Sequence, residues 1–129
     1  MVVHRLSDAA ALVGVSDDTL RRWQQQGRFS PVDAGGRAGI DGVDLARLAV
    51  EHADVPADGP LHTSARNRLR GIVTRITTDT VMAQVEMVCG PYRVVSLVSA
   101  ESVEALGLEP GSLAWATVKS TNVSLEVEP

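Results

Sequence analysis

The sequence predicts an α+β chain of two small domains, a helical N-terminal half followed by an all-strand C-terminal half. Three observations carry that prediction. In the first 52 residues apolar side chains recur at the spacing of one helical face. Beyond residue 63 the period changes to two, as along a half-buried strand. Between the two lies residues 53–62, Ala-Asp-Val-Pro-Ala-Asp-Gly-Pro-Leu-His, which hold two prolines, one glycine and no periodic pattern. That is a linker composition. The expected boundaries are therefore 1–52, 53–62 and 63–129.

The elements follow in order. Leu6, Ala9, Ala10 and Val13 form one apolar face, with Ser7 as the expected N-cap and Gly14 as the stop. A second helix is expected from Ser16, with Asp17 and Asp18 in its first turn, through Leu20 and Trp23 to Gly27. Residues 28–42, with Pro31 and four glycines, read as a loop or a short hairpin wing. A third helix over 41–52 should bury Val43, Leu45, Leu48 and Ala49. In the second half, Val81, Ala83, Val85 and Met87 alternate with Met82, Gln84 and Glu86. Strands are expected near 67–77, 80–88, 92–99, 112–119 and 122–127. One helical turn over 101–106, closed by Gly107, interrupts them. Five strands and one short helix is the element count of an OB-like β-barrel.

Composition narrows the function classes. Halves of about 60 residues have thin cores, and with aromatics at 3% those cores must be built from Val, Leu, Ala and Ile. The C-terminal half would gain most from oligomerising. Net charge is −4. Residues 1–60 hold six Arg and nine acids, hence −3; residues 61–129 hold five Arg, one Lys and seven acids, hence −1. Charge alone therefore gives no sign of nucleic-acid binding. The single Cys89, placed in the Cys89-Gly90-Pro91 turn, cannot form an internal disulfide and fits a reducing compartment. No long apolar run or leader is visible, so a soluble, cytoplasmic protein with no membrane partner is expected. His4, His52 and His62 are scattered, as surface residues rather than metal ligands, and no metal site is expected. There is no nucleophile–base pair, carboxylate dyad or phosphate loop, which argues against an enzyme.

Three separated segments in the second half carry chemistry. Thr63-Ser64-Ala65-Arg66-Asn67 opens the first strand, Glu101 to Gly111 spans the short helix and a turn, and Val118-Lys119-Ser120-Thr121-Asn122-Val123 closes the set. In order and spacing, residues 63–127 closely resemble the molbindin (Mop) subclass of the TOBE family, which binds molybdate or tungstate. Molybdate is a tetrahedral dianion at neutral pH and has no proton to donate, so its site should offer donors only. Ser64, Arg66, Ser99, Lys119 and Ser120 supply such a set, and backbone amides near Ala65 and Thr121 can add to it. The resemblance implies that Ser64 and Arg66 meet Lys119 and Ser120 across a subunit boundary, in a dimer or in a hexamer built as a trimer of dimers. Lys119 is the only lysine in the chain. Competing roles are a strand-end cation for Lys119, an interface salt bridge for Arg66, and a structural amide for Asn67. Ser102 is a candidate cap for the short helix, and Trp115 a core or interface residue. No organic cofactor is implied.

In the first half, Ala10, Gly14, Val15 and Leu20 have the spacing of a helix-turn-helix: a small residue at the crossing, glycine in the turn and apolar residues closing the angle. Followed by Gly27 and a glycine-rich wing, Ser16 to Trp23 resembles the mercury-resistance-regulator (MerR) and excisionase group over residues 4–50. The resemblance implies a DNA partner. Thr19 and Arg22 would then contact bases, Ser16 and Arg21 phosphates, and Arg37 in the wing the backbone or minor groove. Trp23 reads as a core plug rather than a stacking residue. Asp17 and Asp18 depart from the group's pattern, in which proline or a basic residue often stands there. Two functions follow: a molybdate- or tungstate-responsive transcriptional regulator, or a storage and buffering protein whose helical half serves assembly.

Overall fold

A computed structural model describes residues 1–53 and 63–129. The chain divides into two compact units, Met1–Val55 and Pro56–Pro129. Of the expected linker, all but Ala53 lies outside the described residues, and so does His62.

The first unit holds three helices, α1 (Leu6–Val13), α2 (Asp17–Gln25) and α3 (Gly42–His52), and three short strands, β1 (Val3–Arg5), β2 (Val32–Asp33) and β3 (Ala38–Asp41). The strands form an antiparallel sheet in the order β1-β3-β2. β2 and β3 form a short hairpin within the stretch expected as a loop or hairpin wing, whereas β1 falls in a stretch expected to be helical. Three residues are too few to display a period, and the partner of β1 lies more than thirty residues downstream, with Arg5 opposite Gly39. Because β1 runs straight into α1, the N-cap falls on Arg5 rather than Ser7, and no side chain caps that helix. Gly14 ends it at φ 79° and returns its N–H to Ala10 and Ala11. This left-handed geometry is open to glycine at little cost, and it sets the angle between α1 and α2.

Local chemistry fixes the other two helices. Ser16 Oγ accepts from Thr19 N at 3.1 Å, and Asp41 Oδ1 accepts from Val43 N at 2.9 Å. The core joins Ala9 and Ala10 of α1, Leu20 and Trp23 of α2, Ile40 of β3, and Leu45 and Leu48 of α3. Two small residues on α1 let α2 approach closely. Trp23 is indeed a core residue, closed over by the Arg28 guanidinium at 4.5 Å and by the His52 ring at 5.4 Å. Val43, expected inside, is 78% exposed. It is the second residue of α3, two past the cap Asp41, in the first turn of the helix.

The second unit contains β4 (Asn67–Thr78), β5 (Met82–Cys89), β6 (Tyr92–Ser99), α4 (Ala100–Leu106) and β7 (Leu113–Val118). The strands make one antiparallel sheet in the order β6-β5-β4-β7. Residues of both edge strands, among them Val94 and Val98 of β6 and Ala114 and Ala116 of β7, line one apolar cavity of about 660 Å³. The sheet therefore curls so that its two edges face a common interior. The core is Val73, Val85, Met87 and Cys89, with Leu69, Ile76 and Leu108 packed on it. The alternation of β5 is as expected from Ala83 onward, but Val81 lies outside the strand and is 67% exposed. Cys89, expected in a turn, is the buried last residue of β5. Its Sγ lies 3.8 Å from the Leu69 carbonyl oxygen.

Gly71 of β4 lies tight against the end of β5. A Cβ there would fall within contact distance of the Val88 carbonyl oxygen and 2.6 Å from Cys89 Sγ. A shift of register between Val73 and Arg75 follows, the signature of a bulge that bends the strand. Asp79 secures the β4–β5 turn by accepting from Met82 N and Val81 N at 2.7 and 2.8 Å. Those two bonds hold its carboxyl below the ordinary aspartate value.

The fifth strand expected over 122–127 does not form in the single chain. Ser120–Asn122 make a 3-10 turn, and Leu125 and Val127 beyond it are each 92% exposed. A strand is stable only when its ladder and one face are satisfied by neighbours, and this tail has neither here.

Candidate functional site

The register of β4 against β7 shows which of the expected oxyanion segments share an end of the sheet. Asn67, the first residue of β4, stands opposite Val118, the last of β7, and Asn67 Nδ2 donates to the Val118 carbonyl at 3.1 Å. Ser64-Ala65-Arg66 therefore leads into the sheet at the end where Lys119-Ser120-Thr121 leaves it. Ser64, Arg66, Lys119, Ser120 and Thr121 are all exposed, while Ala65 is buried and its N–H bonds to Thr63 Oγ1 at 3.1 Å. These two segments hold two cations, two serine hydroxyls and one threonine hydroxyl, and no carboxylate. Asn67 has the structural task expected of it, although on its own strand pair.

Ser99 is elsewhere. It ends β6 opposite Met82, and Ala83 in turn pairs with Thr78 at the far end of β4. At about 3.3 Å per residue, the twelve residues of β4 put roughly 36 Å of strand between that end and Asn67. Ser99 Oγ also accepts from Ser102 N at 3.0 Å and lies 2.6 Å from Ser102 Oγ. It is thus the N-cap of α4, the role considered for Ser102, which sits inside the helix. By this strand pairing Ser99 stands at the other end of the sheet from the Ser64 and Lys119 segments.

Trp115 is not part of the core cluster. It is half-buried on β7, is among the residues lining the apolar cavity, and has the Arg68 guanidinium 4.7 Å above its ring. Arg68 Nε is buried without a hydrogen-bond partner. This pair was invisible in the sequence, because Arg68 and Trp115 become neighbours only through the register that sets Arg70 opposite Trp115.

In the first unit, Ser16, Arg21 and Arg22 are exposed on α2 or its cap, and Arg37 is exposed beside β3. Thr19 is half-buried, its hydroxyl 2.9 Å from Ser16 Oγ. The arginines of this unit fall into two sets. Arg28 and Arg47 both pair with Glu51, at 2.9 and 3.4 Å. The Arg28 hydrogen bond, with Arg47 adding to it, holds the Glu51 carboxyl below its ordinary value. Among the described residues, Arg21, Arg22 and Arg37 have no such ion pair. The negative total for the segment therefore hides a local surplus of cations on and beside α2.

Comparison with known proteins agrees with both halves. Residues 63–125 match the TOBE domain, and residues 4–51 match the MerR HTH family of regulatory proteins. Molybdenum-pterin-binding protein 2 of Clostridium pasteurianum is 40% identical over 63 residues, which are 48% of this chain and 93% of that protein. A molybdate-binding protein from Sporomusa ovata superposes with a TM-score of 0.50 at 33% identity, over 52% of this chain and all of that one. The cytoplasmic molybdate-binding protein ModG, solved with molybdate bound, gives a TM-score of 0.51 at 40% identity, over 54% of this chain and 50% of its own. No helix among the described residues is long and apolar enough to cross a membrane. The C-terminal unit has the curled OB-like sheet of these proteins, and the chain belongs to the TOBE-domain family in its molbindin (Mop) group, with a match to the MerR HTH family over residues 4–51 ahead of it.

Proposed function

We propose that the protein binds molybdate or tungstate in its C-terminal unit and is a molybdate-responsive DNA-binding regulator of transcription, with the anion held between copies of the chain. The observation that supports this reading is the pairing of Asn67 with Val118, by which the segments Ser64–Arg66 and Lys119–Thr121, rich in donors and without a carboxylate, adjoin the same end of the sheet. A tetrahedral dianion needs that chemistry, and the named relatives bind molybdate or molybdenum-pterin. The work is binding rather than catalysis, and it takes place in the cytoplasm.

Two features favour a shared site. Ser99 lies at the opposite end of its own sheet, which supports its reaching the donor set from a neighbouring copy. The C-terminal tail alternates Val123, Leu125 and Val127 with Ser124, Glu126 and Glu128, a strand pattern without a neighbour. The apolar cavity between β6 and β7 of a second copy would give it one. A homodimer, or a hexamer assembled as three dimers, would satisfy both.

Calorimetry with molybdate, tungstate and sulfate tests the reading, and the absence of heat with the first two would sink it. Ser99 has its own test. Ser99→Ala should cost about 1 kcal/mol of stability through the lost cap. Ser99→Asp keeps a capping oxygen but adds a negative charge. It should therefore melt near wild type yet bind molybdate at least tenfold more weakly; wild-type affinity in that variant would reduce Ser99 to a cap.

A second reading is storage or buffering of the anion, with the helical unit serving assembly. It is favoured by Val43 and Val50, which are 78% and 75% exposed one heptad apart on α3, an apolar pair suited to a protein contact. A gel shift with duplex from the protein's own upstream region, with and without molybdate, separates the two. No shift in either condition would favour storage.

A further inference from the structure

Beside β3 the helical unit has a recess of about 230 Å³ whose lining includes Arg5, Ser7, Asp17, Arg21 and Arg37. Three arginines and a serine thus line one small volume. The single carboxylate, Asp17, leaves the lining at a net +2 (three Arg less one Asp). Neither the three arginines nor Asp17 takes part in an ion pair among the described residues. In the same unit Arg28 and Arg47 are fully engaged with Glu51, so carboxylate pairing is available to this fold and is not used at the recess.

The fold builds this cluster from three distant stretches of sequence. Pairing of β1 with β3 sets Arg5 opposite Gly39 and so brings it beside the segment that carries Arg37. The direct junction of β1 with α1 places Leu6 and Ser7, the first helical residues, in the same lining. Since no side chain caps α1, its first-turn N–H groups add donors and positive potential to those of the arginines.

We infer that this recess seats one phosphate group, with Arg5, Arg21 and Arg37 as its three cations and Ser7 as a hydroxyl donor. Guanidinium forks match the tetrahedral oxyanion, and three of them confined to one recess without counter-ions are the electrostatic complement of phosphate. The inference rests on the reading of this unit as a DNA binder, in which the phosphate belongs to the duplex backbone. It adds Arg5, which no helix-turn-helix spacing points to. Inorganic phosphate would satisfy the same donors, and the experiment separates the sources.

Arg5→Gln keeps most of the side-chain length and removes the charge, and Arg75→Gln on β4 serves as a charge-matched control. Binding of the full-length chains to fluorescein-labelled duplexes of two unrelated sequences is followed by anisotropy across a salt series. Arg5→Gln should weaken binding roughly five- to tenfold on both sequences alike and lower the slope of log K against log salt by about one. Arg75→Gln should change neither. Wild-type affinity and slope for Arg5→Gln would overturn the seat while leaving DNA binding intact. Failure of the wild type to bind any duplex would overturn the DNA reading instead, and titration with inorganic phosphate then decides the recess. Heat with wild type that is lost in Arg5→Gln supports a seat for free phosphate, and no heat with wild type overturns it.

Discussion

Leu20→Ala should strongly destabilise the helical unit and leave the C-terminal unit folded. Leu20 is fully buried at the meeting point of α1, α2 and α3. Truncating a buried leucine costs about 2–5 kcal/mol, the lost transfer free energy plus the cavity left behind. A unit of some fifty residues has a total stability of roughly 3–8 kcal/mol at the usual 0.05–0.15 kcal/mol per residue. At the middle of both ranges the substitution removes more than half of that stability, about 3.5 of about 5.5 kcal/mol. Differential scanning calorimetry should show two transitions in the wild type, and in the variant one of them moved far down in temperature. Above that lowered transition duplex binding should be lost while the heat of molybdate binding stays within twofold of wild type. Duplex affinity unchanged in an unfolded helical unit would place the DNA contact elsewhere. A fall of both transitions together would mean that the two units do not fold independently.

Lys119→Ala should reduce molybdate affinity roughly ten- to hundredfold, the range expected for one hydrogen bond to a charged partner. The same substitution should leave the melting temperature nearly unchanged, since Lys119 is exposed and makes no ion pair among the described residues. Lys119→Arg preserves charge but replaces a compact ammonium by a broad planar fork. It should recover part of the affinity and shift the ratio of molybdate to tungstate binding. Titration calorimetry of both variants checks this. Wild-type affinity in Lys119→Ala would return the residue to the role of an ordinary strand-end cation.

What the sequence shows of this molecule is what local chemistry decides. Gly14, Ser16 and Asp41 mark helix ends because each acts within three or four residues of itself, and the alternation of β5 reports its own buried face. The strand β1 was hidden because three residues carry no period and their partner is remote. Ser7 and Ser102 were credited with caps that belong to Arg5 and Ser99, since cap positions depend on where the preceding strand stops. Ser64, Arg66, Lys119 and Ser120 are recognisable as donors from their types. Only the register of β4 with β7 brings their two segments to one end of the sheet and leaves Ser99 at the other. The tail over 122–127 reads as a strand from its alternation, yet a strand needs a neighbour that a single chain does not provide.

The placement of the two tryptophans has a practical consequence. Trp23 is packed on the second helix of one unit, and Trp115 lies under Arg68 on the last strand of the other, four residues before Lys119. With only two such residues in the chain, each unit carries its own fluorophore, and each indole has a guanidinium against its ring. Trp23→Phe and Trp115→Phe would make single-emitter proteins without added dyes. The emission of Trp115 can then follow occupancy by the anion while that of Trp23 follows engagement of the helical unit. Stopped-flow records of the two, taken under the same conditions, would give the order in which a signal arriving at one end of the protein is felt at the other.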